Sequence, residues 1–228
     1  MKVKRLDHIA LYMGDRDSAA GFLITHLGFH VVDHTERYTL VGAGGRLGKL
    51  TLFDALQGTS PSPGEIERIT IRVTDPKAAA AELPPGANAE PLDGGYAFTG
   101  PEGLPLALVD GAGEFADYDL EGFTLRSGSP GESARTFVEM GFTPADATTV
   151  RAGEYFVRFT GSTAEAGGML FHIGCLVDSA EHHRREAEER GLEVTDFVEG
   201  PNTLAAFVRG PEGVSVEYVE HKPTFSLT

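Results

Sequence analysis

One short pattern, stated four times, constrains this chain more than anything else in it. The runs LDHIALYM (6–13), IERITIRV (66–73), LEGFTLRS (120–127) and LFHIGCLV (170–177) read as strands, and each is followed within a few residues by a stretch opened by a capping residue or a proline. Helices are expected over Asp15 to His26, Asp75 to Leu83, Ser129 to Met140 and Asp178 to Arg190. Three of them stop at a glycine before an apolar residue, as Gly28-Phe29, Gly141-Phe142 and Gly191-Leu192, and the other at Pro84-Pro85-Gly86. Short alternating runs follow, such as FHVVDHTE and KLTLFDA after the first helix and LEVTDFVEG, NTLAAFVRG and VSVEYVE after the last. Each unit therefore reads β-α-β-β-β, and counting from His8 through Arg68 and Gly122 to His172 gives a period of about 50 to 60 residues.

A unit of that size with one helix covers a single sheet face and cannot bury the other, so units must pair. The expected fold class is α+β, with four βαβββ modules forming two paired-sheet, half-barrel clefts. The 228 residues divide into an N-terminal domain, 1–112 (modules 1–57 and 64–112), and a C-terminal domain, 117–228 (modules 117–162 and 168–228). The halves echo each other closely at GPEGLPLALVD and GPEGVSVEYVE. Glu102 and Glu212 of those turns are expected to face water.

The net charge of −15 and the lack of any Lys/Arg cluster argue against nucleic acid or an anionic membrane surface as partner. The apolar stretch of MKVKRLDHIALYM is short and broken by Asp7 and His8, so neither a signal peptide nor a span is expected, and the location implied is cytoplasmic. Cys175 is the only cysteine, which excludes an internal disulfide and a thiolate cluster. A metal site would have to use histidines and carboxylates.

Strand alternation assigns faces. Ile9 and Leu11 lie opposite to Leu6, His8 and Ala10, while Phe171, Ile173 and Cys175 lie opposite to Leu170, His172 and Gly174. The apolar sets belong on the helices, which turns both histidines toward the other face, with small Ala10 and Gly174 leaving room beside each ring. On the last strand Glu217 shares a face with Ser215 and Val219, where the first GPEG copy has Ala107. A carboxylate among apolar strand residues is costly to bury unless it is paired or holds a metal. A lone strand histidine is usually a satisfied core or surface residue, but its recurrence beside Glu217 makes His8, His172 and Glu217 a candidate ligand set for Fe(II), Mn, Zn or Ni. His182 and His183 sit in a Glu- and Arg-rich helix and are expected on its solvated face, and His26, His30, His34 and His221 lie near element ends with no partner the sequence can name.

These residues resemble the vicinal oxygen chelate superfamily, which includes glyoxalase I, bleomycin-resistance proteins, methylmalonyl-CoA epimerase and type I extradiol dioxygenases. LDHIALYMGD and LFHIGCLVDS look like its first-strand motif with a ligating histidine, and GPEGVSVEYVE like its closing strand with a ligating glutamate. Carried over position by position, the first module offers His8, with Thr51 where glyoxalases often have a glutamate; the second offers Arg68 and Ala107; the third Gly122; the fourth His172 and Glu217. Only the first and fourth modules together complete a site. The expected pairing is therefore first with fourth and second with third, leaving the second cleft free of metal.

The resemblance implies an Fe(II)-dependent extradiol-type dioxygenase acting on a dihydroxylated aromatic and O₂. Such enzymes usually carry a tyrosine ten residues before the glutamate, where this chain has Phe207; Tyr12, His30 and His34 are the substitute proton donors. A glyoxalase-like lyase or epimerase is the main alternative, although Thr51 cannot serve as its second carboxylate. A non-catalytic binding protein of the resistance type is the third, and the ligand trio speaks against it. Exposed module edges leave a homodimer open.

Overall fold

In the computed structural model the described residues are 1–44, 48–111, 117–163 and 168–225. The expected domain limits at 112 and 228 lie outside them. The elements follow in four successive groups. The first is β1 (Arg5–Met13), α1 (Arg16–Leu27), β2 (His30–His34), β3 (Tyr38–Gly42) and β4 (Lys49–Asp54). Next come β5 (Ile66–Val73), α2 (Pro76–Ala81), β6 (Glu90–Leu92), β7 (Gly95–Thr99) and β8 (Pro105–Asp110). The third group is β9 (Tyr118–Arg126), α3 (Pro130–Glu139), β10 (Thr143–Pro144), β11 (Thr149–Ala152) and β12 (Tyr155–Thr160). The last is β13 (Leu170–Leu176), α4 (Ala180–Glu189), β14 (Val194–Glu199), β15 (Thr203–Arg209) and β16 (Ser215–His221).

Local chemistry sets the helix ends. Asp15, Asp75 and Ser179 accept hydrogen bonds from the third residue onward, Ser18, Ala78 and His182, as N-caps do. Gly28 adopts φ 64° at the end of α1, a left-handed turn that L side chains avoid.

Strand pairing then sorts the groups into two eight-stranded sheets. One runs β14-β15-β16-β13-β1-β4-β3-β2, the other β10-β11-β12-β9-β5-β8-β7-β6. The first group thus joins the last and the second joins the third, through antiparallel β1–β13 and β5–β9. Each sequential half contributes one group to each sheet. Both sheets bury their helix-side faces in a common core that includes Leu6, Ile9, Leu11, Ile173, Cys175, Tyr218, Ile69, Phe123 and Phe137. Among the described residues no helix is long and apolar enough to cross a membrane.

Glu102 and Glu212 are exposed, as expected, yet the two GPEG turns also tie the sheets together. Both glutamates sit at left-handed φ, 54° and 56°. The Glu102 carboxylate, in the second sheet's β7–β8 turn, accepts from the backbone N–H groups of Gly14 and Asp15, each at 2.7 Å, at the start of α1. Glu212, in the first sheet's β15–β16 turn, accepts from Ser127 Oγ and from the N–H of Gly128, both at 3.0 Å, just before α3. Unpaired N–H groups and the helix dipole attract a carboxylate at that end. Which helix start lies opposite a turn is a tertiary fact that alternation within one strand cannot carry. His183 departs from expectation: it is buried, with its ring against Tyr218, because it shares the inward face of α4 with Ala180 and Ala187.

Candidate metal centre

The site forms where β1, β13 and β16 lie side by side. In the β1–β13 ladder Leu6 faces Cys175 and His8 faces Gly174, so Asp7 is an extra residue; Ala10 faces His172 and Leu11 faces Leu170, so Phe171 is another. Each such bulge flips the alternation beyond it and re-aims a side chain. That corrects the face assignment at two places. Leu6 and Leu170 join the core side with Ile9 and Leu11, and Phe171 turns into the cleft beside His172.

His8, His172 and Glu217 do converge. The two Nε2 atoms are 2.9 Å apart, and Glu217 Oε2 lies 3.2 Å from each. An ion about 2.1 Å from each donor needs them about 3.0 Å apart on one octahedral face and about 3.4 Å apart in a tetrahedron. The triangle's edges of 2.9, 3.2 and 3.2 Å fall in or close to the span of these two geometries. Donor chemistry points to a cation as well, because Glu217 Oε2 is buried and has no hydrogen-bond partner among the described residues. The two Nε2 atoms and Glu217 Oε2 are nitrogen and oxygen donors of the kind that fit a divalent cation, and together they could hold one.

Electrostatics follow from the same crowding. Burial opposes charge on His8, but the hydrogen bond to Asp7 and the negative charge of Asp7 and Glu217 hold its pKa up at about 9. His172 is pushed down by burial despite the nearby Glu217, with His8 adding to the shift. For Glu217 burial works upward, yet the two imidazoles bring it down to about 2. In the metal-free cleft a proton on His8 therefore supplies part of the positive charge that the carboxylate needs.

Small residues make the room. A Cβ on Gly174 would come within 2.4 Å of the His8 ring, so the imidazole occupies the space that this glycine leaves open. His172 is boxed by the rings of Phe171, Phe207 and Phe53, with centroids at 4.5, 5.4 and 6.3 Å. The cleft over the triangle has a volume of about 500 Å³. Its walls are aromatic on the His172 side and polar on the His8 side, where Asp7, Lys49 and His221 lie.

The proposed proton donors lie elsewhere. Tyr12 stacks on Phe171 at 4.5 Å, and His30 is exposed on the edge strand β2; neither lines the cleft. His34 is engaged with Thr39 Oγ1 at 3.0 Å. Thr51 does face the cleft. Sequence reasoning passed over three residues that also do so: Asp7, Lys49 and His221. The first is adjacent to a proposed ligand and the second opens the largely buried strand KLTLFD, which were the available signals.

Matching ladders in the second sheet place Arg68, Gly122 and Arg158 at the positions of His8, His172 and Glu217, and Ala107 at that of Thr51. Two guanidinium groups and a glycine cannot form a ligand set.

Among solved structures the chain resembles a proposed dioxygenase from Bacillus subtilis subsp. subtilis str. 168, with 18% identity, a TM-score of 0.76, and 97% of this chain and 86% of that one covered. It also resembles glyoxalase I from Zea mays, with 16% identity, a TM-score of 0.75, and coverage of 95% and 92%. A third likeness is to the cppA protein of Streptococcus pneumoniae TIGR4, with 15% identity, a TM-score of 0.63, and coverage of 96% and 98%. At these identities the likeness is one of fold. No curated protein sequence matches. A family model described as Glyoxalase/Bleomycin resistance protein/Dioxygenase superfamily matches residues 5–218, and the chain belongs to that superfamily.

Proposed function

We propose that the protein is a metal-dependent enzyme in which His8, His172 and Glu217 hold a divalent cation, and that it acts as an extradiol-type dioxygenase on a dihydroxylated aromatic ring. The observation that carries this reading is the donor triangle of 2.9, 3.2 and 3.2 Å at the base of an aromatic-walled cleft. Fe(II), held by His8, His172 and Glu217, would supply one-electron and O₂ chemistry at the base of the cleft.

The chain's own residues have separable tasks. Phe53, Phe171 and Phe207 offer faces and edges to a flat ring and exclude water from the His172 side. Ala10 and Gly174 leave space beside the imidazoles. Phe207 occupies the place of the usual tyrosine and brings no hydroxyl, so proton handling falls to other groups lining the cleft. His221 is favoured over Tyr38: the Tyr38 hydroxyl donates to Asp33 at 2.7 Å and is pushed up to about 12 by burial and by that carboxylate, which makes it a reluctant acid. Thr51 in the cleft disfavours a glyoxalase-type lyase, because a threonine cannot take up a carbon-bound proton as a glutamate does.

The test is anaerobic reconstitution. Fe(II)-loaded protein is expected to consume O₂ with one or more of a panel of catechols and hydroquinones, while Ni- or Zn-loaded protein leaves hemithioacetals unchanged. Hemithioacetal turnover with Ni or Zn and no O₂ uptake with Fe would reject the dioxygenase in favour of a lyase. Retention of an aromatic ligand with no divalent metal bound would instead support a binding protein.

A further inference from the structure

The bulge at Asp7 has a second product besides the corrected alternation. It brings the Asp7 carboxylate to the cleft side, where Oδ2 lies 3.0 Å from His8 Nδ1. The other oxygen is held from three directions: by Lys49 Nζ at 3.0 Å, His221 Nε2 at 3.3 Å and Arg5 Nη1 at 3.8 Å. The Lys49 side chain is only 1% exposed. Burying an ammonium and a carboxylate together gives little or no stability over an apolar pair of the same volume. Stability is therefore a poor reason for a lysine at the head of KLTLFD.

We infer that Asp7, clamped by Lys49, is a positioning residue that holds His8 with its Nδ1–H directed at Asp7 and its Nε2 aimed at the point that His172 and Glu217 share. This rests on the reading of the trio as a metal centre. A ring whose second nitrogen is tied to a carboxylate has one tautomer and one orientation, and is the better donor for it. Lys49 offsets the added negative charge, so the site gains a fixed imidazole without gaining a net anion.

The second sheet serves as an internal comparison. Its equivalent bulge places Glu67 where Asp7 would be, and the parallel ladder places Pro105 where Lys49 would be. Glu67 accepts hydrogen bonds from Thr160 Oγ1 and from Ser162 Oγ at 3.2 Å. The sheet with no imidazole at that position thus has the bulge and a carboxylate, but a proline where the lysine would stand.

The experiment uses Co(II) as the probe, titrated into full-length metal-free protein and followed by its visible absorption. Asp7→Asn/Lys49→Met removes both charges at near-constant volume and avoids stranding either one. Expected is a 10- to 100-fold loss of Co(II) affinity and an altered absorption band, with the metal-free melting temperature within a few degrees of wild type. Lys49→Met alone, which leaves Asp7 paired with His221 and Arg5, keeps the test open if the double variant does not fold; a smaller loss of the same kind is expected. Wild-type affinity and an unchanged band in whichever of these variants folds would overturn the inference. Wild-type protein that fails to bind Co(II) would reject the metal centre itself, and the inference with it.

Discussion

Replacing Gly174 by alanine adds a single methyl group where the His8 imidazole lies. The new Cβ would stand 2.4 Å from Cε1, 2.5 Å from Nδ1 and 2.8 Å from Nε2, whereas ordinary contact begins at 3.4 Å. The β13 backbone is pinned by ladders on both sides, to β1 and to β16, so the ring must yield rather than the strand. A retreat of about 1 Å takes Nδ1 off Asp7 and Nε2 off the triangle. Misplacement on that scale costs on the order of 100-fold in a preorganised site. Overpacking adds about 1–3 kcal/mol of lost stability. Gly21→Ala is the matched control: it lies inside α1 with nothing within 4 Å, so the same methyl should gain up to about 1 kcal/mol through helix propensity. Co(II) titration and thermal melts of both variants read the two effects separately. A Gly174→Ala protein with wild-type affinity and an unchanged melting temperature would refute the claim that this glycine creates the imidazole's space.

Other consequences can be measured with the same tools. Glu217→Gln keeps the shape of the ligand triangle but removes its anion, and is expected to abolish the rise in melting temperature that divalent metal gives the wild type. Glu102→Ala and Glu212→Ala each break a tie between the sheets, costing about 1 kcal/mol by analogy with lost helix caps, and the double variant should lose the sum because the two ties share no partner. His8 is protonated up to about pH 9 in the metal-free protein, so a cation must displace that proton; apparent metal affinity should climb with pH through neutrality and level off near 9. The same raised value means that His8 contributes stability to the metal-free fold in full below its unfolded pKa of about 6.5, a contribution lost as pH rises through 9. Chemical denaturation of metal-free protein at pH 6 and pH 9 checks that sign.

Much of the fold was written in one dimension. Capping residues, glycine stops and strand alternation recur at a fixed period, and each is a local preference of a few consecutive residues. That is why Asp15, Asp75 and Gly28 end their helices where expected. The pairing of the first unit with the last could also be argued, from the ligand positions that the family resemblance carries over: two imidazoles and one carboxylate come together in no other combination of units. Alternation failed at Leu6 and Phe171, because a bulge inserts one residue into one strand and leaves no mark in that strand's own pattern.

The sequence by itself determined the units, their order and the three residues able to act as ligands, since these follow from side-chain chemistry and short-range periodicity. Only the tertiary structure decided that Nε2, Nε2 and Oε2 stand within 3.2 Å of one another, that Asp7 and Lys49 back His8, and that Tyr12 and His30 do not line the cleft. The physical reason is that strand register, bulges and the facing of turns onto helix starts are set between segments far apart in the chain. There a shift of one residue reverses which side chains meet.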